Sequence, residues 1–187
     1  MTCIAGLVKG GSVYIAGDSA ASNNADQLTL RLDKKVFRRQ ELGMILGCTG
    51  SIRMCQLLHH VFTPPLPGEE EETERYMTTT FINALRTCFR EGGFARKKDE
   101  QEEGGYFLVG VCGRLFEIES DYQVGESIDG YAAIGSGDDI ALGALFATRQ
   151  LDFSPEQRLT LALEAAQHHI TSVRAPFLIE CLEGPSG

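Results

Sequence analysis

Two apolar runs open the chain, over 3–8 and 13–17, joined by the polar turn Lys9-Gly10-Gly11-Ser12. Neither run alternates apolar with polar residues, so the pattern predicts two strands covered on both faces. The short turn predicts that they are antiparallel neighbours. Residues 19–34 are polar and read as irregular, whereas Val36-Phe37 and Met44-Ile45-Leu46 read as two further strands around Gln40-Glu41-Leu42-Gly43. Apolar positions at Ile52, Cys55, Leu58 and Phe62 have helical spacing and predict a helix over 51–62, stopped by Pro64-Pro65-Leu66-Pro67-Gly68. A second helical face carries Met77, Phe81, Ile82, Leu85, Cys88 and Phe89 and ends near Gly92-Gly93. Residues 94–105 read as a charged, mobile connector.

The strand period returns at 106–111 and 115–118, a hairpin across Cys112-Gly113-Arg114, and again at 131–134 before Gly135-Ser136-Gly137. A helix is predicted over 138–149. Ser154-Pro155-Glu156-Gln157 is a capping box with proline at the first helical position, and it opens a helix that runs to about Ile170. Residues 177–182 form a last strand. The order is strands, two helices, strands, two helices, strand, with doubly covered antiparallel strands. It predicts an α+β protein of four layers, two stacked sheets between two helical layers (αββα), as one domain over 1–187.

Composition narrows the possible partners. The 187 residues are 43% hydrophobic and 23% charged, with a formal net charge of -9, which argues against nucleic acid or an anionic membrane as partner. The acidic runs, Glu69 to Glu72 with Glu74 and Asp99-Glu100 with Glu102-Glu103, read as solvated loops. No apolar stretch reaches the length of a membrane span and no signal peptide precedes the first strand, so a cytoplasmic location is expected. The six cysteines are scattered singly, without a zinc-ligand spacing. They are expected to be reduced and buried, and neither metal nor cofactor is expected.

Candidate chemistry begins at Thr2, a small hydroxyl residue directly behind Met1. Removal of Met1 would leave an α-amine and a γ-hydroxyl on one residue, a nucleophile carrying its own base. Such an amine titrates near ~7.7–8.0, within reach of neutral pH. Asp18 closes the second strand in Gly17-Asp18-Ser19, a block that a serine hydrolase would complete with an Asp-x-x-His pair, and the sequence has none. A strand-end aspartate capping a turn is the ordinary alternative. Gly135-Ser136-Gly137 does not extend to a dinucleotide fingerprint, since Ile140 stands at the final glycine position. The pairs His59-His60 and His168-His169 place neighbouring rings on different helix faces, poorly suited to one metal.

In register along nearly the whole chain, these pieces resemble the proteasome β-type N-terminal-nucleophile hydrolases, including the bacterial HslV peptidase and a bacterial proteasome homologue branch. Thr2 before an apolar strand resembles the family's N-terminal threonine. Ile15-Ala16-Gly17-Asp18 resembles its second strand, with the active-site aspartate sixteen positions after the threonine. Lys34-Lys35-Val36 is similar to its Lys-Lys-Val segment, Leu46-Gly47-Cys48-Thr49-Gly50 to its oxyanion turn, and Ala133-Ile134-Gly135-Ser136-Gly137 to its Ile-Gly-Ser-Gly segment. The resemblance implies catalysis by Thr2, Asp18, Lys35 and Ser136, an oxyanion N–H from Gly47, and substrate binding by Ser22 and Thr49. It implies peptide hydrolysis, on peptides or unfolded proteins, inside stacked homo-oligomeric rings, and raises the option of an ATP-driven unfoldase feeding them. Two departures stand out. Lys35 follows Asp18 by seventeen residues, one more than the family spacing, and Ser172 and Ala175 occupy the positions of an Asp-x-x-Ser pair. Two alternatives stay beside this one: a weakly active or inactive structural ring subunit, and an amidohydrolase of the same class acting on a small amide.

Overall fold

The computed structural model describes residues 2–22, 28–30, 32–68, 70–98 and 101–184. Strands β1 (Cys3–Lys9) and β2 (Ser12–Gly17) pair antiparallel with Lys9 opposite Ser12. Gly10 and Gly11 between them have φ of 59° and 78°, the left-handed pair that lets a two-residue turn follow the twist of its strands. Residues 19–34 are less irregular than their polarity implies: β3 (Ala20–Ser22) and β4 (Leu28–Leu30) pair antiparallel. After β5 (Val36–Arg39) and β6 (Met44–Cys48) comes α1 (Ile52–His60), capped by Ser51, whose Oγ accepts the Met54 N–H. Helix α2 (Thr73–Tyr76) continues through a π turn (Met77–Phe81) into α3 (Ile82–Glu91).

The expected mobile connector is corrected next. Strands β7 (Arg96–Lys98) and β8 (Gln101–Glu103) form a charged two-stranded ribbon, held to α3 by an Arg86–Glu102 ion pair of 2.7 Å. Then follow β9 (Phe107–Val111), β10 (Arg114–Ile118), the short β11 (Val124–Glu126) and β12 (Tyr131–Gly135). Helices α4 (Asp138–Ala147) and α5 (Pro155–His169) and strand β13 (Leu178–Leu182) complete the order, with the Ser154–Gln157 capping box formed as expected.

Two sheets carry the fold, one ordered β12-β1-β2-β13 and the other β11-β10-β9-β6-β5. Ile4, Val13, Ile15, Val36, Ile45, Leu108, Leu115 and Ile134 fill the space between them. The far face of the first sheet packs Ala5, Leu7 and Ala133 on Leu145, Leu159 and Leu163 of α4 and α5. The far face of the second packs Phe37, Leu46 and Val109 on Leu58, Phe81, Leu85 and Phe89. This is the expected αββα sandwich, and it explains the missing alternation: a strand with neighbours above and below gains ~1.5–3 kcal/mol for each large side chain buried on either face. Among the described residues, no helix is long and apolar enough to cross a membrane.

The expectation of six reduced cysteines fails for one pair. Cys48, the last residue of β6, is disulfide-bonded to Cys55 in α1. The strand–turn–helix path brings their Cα atoms to 5.8 Å, within the span a disulfide bridges. A separation of seven residues carries no sequence signature of such a bond. Cys3, Cys88, Cys112 and Cys181 are free thiols.

Candidate active site

Thr2 lies at the start of β1, between β2 and β12, where three separate parts of the chain meet. Its carbonyl accepts the Ser136 N–H at 2.8 Å and the Ser136 hydroxyl at 3.3 Å. Gly135, just before Ser136, has φ of 103°, and a Cβ there would meet the Thr2 carbonyl oxygen at 2.2 Å. Only glycine permits that approach. Thr49 Oγ1 lies 3.1 Å from the same point, so the residue after β6 also packs against Gly135.

The electrostatic centre is Lys35. Its ammonium donates to Thr2 Oγ1 at 2.8 Å, to Asp18 Oδ1 at 2.9 Å and to the carbonyl of Ala20. Three acceptors satisfy the three protons of an ammonium. The Asp18 side chain is 0% exposed and that of Lys35 13%. Backbone donors hold the carboxylate: Cys3 N–H reaches Oδ1 at 3.1 Å, Ala20 N–H reaches Oδ2 at 3.0 Å, and Arg174 N–H reaches Oδ2 at 3.5 Å. Lys34 points away, 53% exposed, with its nitrogen 4.0 Å from Glu180 on β13. Successive residues of an extended segment face opposite sides, and Lys35 is the member that reaches Thr2.

Burial pulls the Lys35 ammonium below its ordinary pKa of 10.5, and the Asp18 charge acts against that pull. Between the lowered value and the ordinary one the unfolded chain binds more protons than the native chain, so this group makes stability rise with pH across that window. Any function that needs the cation falls across the same window. Replacing Lys35 with arginine, which keeps its proton, should remove the alkaline loss caused by Lys35, and a pH–rate profile set beside a pH–stability profile reads both signs. Cys3, next to Thr2, is no rival nucleophile, because burial and the nearby Asp18 push its thiol up to about 12.

Gly47 lies within the ladder of the second sheet. It is mid-strand in β6, opposite Val36 on one side and Leu108 on the other. The Cys48 N–H donates to the Lys35 carbonyl, so by the alternation of an antiparallel ladder the Gly47 N–H faces β9. A Cβ at Gly47 would meet Ile4 and Ile15 at 2.6 and 2.7 Å. It is glycine because the two sheets approach there. Gly50 is different. It is exposed, has φ of 84°, stands just before Ser51 at the N-terminus of α1, and its N–H has no acceptor among the described residues. A free amide beside the positive end of a helix dipole suits a developing anion. The Thr49-Gly50-Ser51 run before an amphipathic helix was a readable signal for it.

Other expected residues are placed as follows. The Thr49 backbone is already engaged, its N–H on Tyr106 and its carbonyl accepting from Ser51. Ser22 ends β3, paired with Leu28, and its side chain lies outside the described part of the structure. Ser172 is buried with its Oγ 3.4 Å from Ser136 Oγ. Among the described residues no cluster of metal ligands occurs.

No protein-family model matches the sequence. Solved structures do match the architecture. A Thiobacillus denitrificans bacterial proteasome homologue, BPH, solved in complex with epoxomicin, superposes with a TM-score of 0.79 at 20% identity, over 97% of this chain and 98% of that one. Eukaryotic HslV from Trypanosoma brucei gives 0.68 at 20% identity, over 97% and 99% of the two chains. The fold is that of the proteasome-like N-terminal-nucleophile hydrolases. Anbu, an ancestral beta-subunit from Yersinia bercovieri, extends the likeness at 15% identity with a TM-score of 0.65, over 96% of this chain and 81% of that one. In the proteasome-like fold described here, the Thr2 cluster lies where β1 begins, at the end of an interior strand.

Proposed function

We propose that this chain is an N-terminal threonine peptidase, one domain over 1–187, active once Met1 is removed. The observation that carries the reading is the 2.8 Å contact between the buried Lys35 ammonium and Thr2 Oγ1. While Met1 is attached, the Thr2 nitrogen is an amide with no basic lone pair. Freed, it becomes the general base. The Thr2 hydroxyl attacks the peptide carbonyl, and its proton passes to the α-amine, directly or through a water. Collapse of the tetrahedral adduct breaks the C–N bond. The α-ammonium gives its proton to the departing amine, and water then hydrolyses the Thr2 ester.

Lys35 contributes twice. Its charge steadies the attacking oxygen, and a cation close to the amine keeps that amine unprotonated at neutral pH. Asp18 fixes the Lys35 ammonium and offsets the cost of burying it. The oxyanion donor in this proposal is the Gly50 N–H, in place of Gly47. Ser136 holds Thr2 by its carbonyl, so its role is to position the nucleophile. Thr49 is left with its side chain for substrate contact, and Ser22 with the edge of β3.

Self-assembly into stacked rings belongs to the same proposal. Phe146 (54% exposed), Leu151 (52%) and Leu161 (39%) stand out from the α4–α5 layer, apolar area that a second copy would cover. Epoxomicin, the ligand of the Thiobacillus protein, tests the reading of the site: protein incubated with it should carry the adduct on a peptide beginning at Thr2. A folded protein that starts at Thr2 and takes no adduct there would count against the proposal.

A further inference from the structure

The Cys48–Cys55 bond closes a loop that includes three residues at the site: Thr49, whose Oγ1 borders Gly135, Gly50, whose N–H has no acceptor among the described residues, and Ser51, which caps α1. One end of the loop is also tied to Lys35. The Cys48 N–H donates to the Lys35 carbonyl at 2.9 Å, and Cys48 Sγ lies 3.5 Å from the same oxygen. One sulfur thus touches the backbone of the residue that supplies the cation and begins the turn that presents the Gly50 amide.

We propose that Cys48 and Cys55 form a reversible thiol–disulfide site that sets the position of the Gly50 N–H, and hence the rate at the Thr2 centre; the effect on rate rests on the peptidase reading above. In the oxidised form β6 and the first turn of α1 are covalently joined, so strand end and helix N-terminus move as one body. In the reduced form that tether is gone. The Cys48 thiol gains a proton and can donate it to the Lys35 carbonyl, already the acceptor of the Cys48 N–H. The short link from Thr49 to Ser51 is then held by hydrogen bonds alone: the Thr49–Tyr106 and Ser51–Thr49 backbone bonds, and the Ser51 carbonyl and Oγ accepting from the Cys55 and Met54 N–H groups.

The co-reactant is a small dithiol. One of its thiolates attacks the Sγ of Cys55, the less buried residue at 7% exposure against 0% for Cys48. The protein S–S bond breaks and Cys48 leaves as a thiolate that takes up a proton. The reagent's second thiolate attacks the mixed disulfide, releasing Cys55 and closing the reagent into its cyclic disulfide. Two electrons and two protons pass to the protein and the dithiol is oxidised by two electrons. Because both sulfurs are nearly covered, exchange waits on opening of the first turn of α1. The site therefore answers a sustained change in thiol poise and not a brief one.

The test uses the full chain purified without reductant, with half of it then treated with dithiothreitol. Alkylation and intact mass should show two more reactive thiols in the treated half. Amide hydrogen exchange over 49–52 should quicken on reduction. Turnover should fall by about tenfold in kcat with KM little changed, short of the ~10²–10³ that full loss of an oxyanion donor costs. Reoxidation should restore both readouts. Cys55→Ser should behave as the reduced form in either condition, while Cys112→Ser, at an exposed turn, should keep the full response. The proposal is overturned if no thiols are gained, if exchange over 49–52 is the same in both halves, or if both halves hydrolyse peptide at the same measurable rate. If exchange responds but neither half hydrolyses peptide and Thr2 takes no epoxomicin, the thiol–disulfide site stands and the peptidase reading fails.

Discussion

Lys35→Ala should lower turnover of a fluorogenic peptide by at least ~10²-fold, within the ~10²–10⁴ that a general base contributes, while Lys34→Ala should change it little. The difference rests on geometry. Lys35 touches Thr2 Oγ1, Asp18 and Ala20 from a largely buried position, whereas Lys34 sits in solvent near Glu180. Without the fixed cation, the Thr2 amine holds its proton more tightly and the hydroxyl loses its base at neutral pH. The Asp18 carboxylate also loses its counter-charge, so sedimentation and circular dichroism of each variant must accompany the assay. A normal rate for Lys35→Ala in folded protein would end the proposed mechanism, and a dead Lys34→Ala variant would reassign the lysine.

Asp18→Asn should cost both stability and activity. Every oxygen of the carboxylate faces donors: the Cys3 N–H and Lys35 ammonium on Oδ1, and the Ala20 and Arg174 N–H groups on Oδ2. An amide must turn its NH2 toward one of these pairs whichever way it flips. It also leaves a buried lysine without its anion. Breaking a buried ion pair costs ~3–5 kcal/mol, enough to show as a lower urea midpoint with an unchanged slope. Peptide turnover should fall with it, since the Lys35 ammonium is no longer held on Thr2 Oγ1. An unchanged urea midpoint would contradict a stabilising Asp18–Lys35 ion pair.

The layering was readable because it follows from burial on both strand faces, a property of each segment by itself. Runs 3–8 and 13–17 could only be covered strands, and Ser154-Pro155-Glu156-Gln157 could only open a helix. What escaped depends on pairing across the chain. β3 with β4 pairs strands of three residues, and β7 with β8 is a charged ribbon, so neither gives a period to read. β11 is equally short. At the site, Thr2, Asp18 and Lys35 were singled out by the family resemblance, and the choice of Lys35 over Lys34 agrees with where the side chains point. The proposal moves the oxyanion donor from Gly47 to Gly50, because a glycine required by sheet-to-sheet packing looks, in sequence, like a glycine required by an anion. The register of β6, which puts Gly47 inside the ladder and Gly50 beyond it, exists only in three dimensions. The Cys48–Cys55 bond was missed likewise, since its partners meet only once α1 folds back on β6.

The central claim is that the Thr2 hydroxyl, served by its own free amine, forms the bond to the substrate. Acid quenching during turnover of a peptide ester, followed by peptide mapping, tests it most directly. The account predicts an acyl group on a peptide that begins at Thr2, absent from Lys35→Ala and from any chain that keeps Met1. Hydrolysis by chains that still carry Met1, or an acyl group on any other residue, would contradict it.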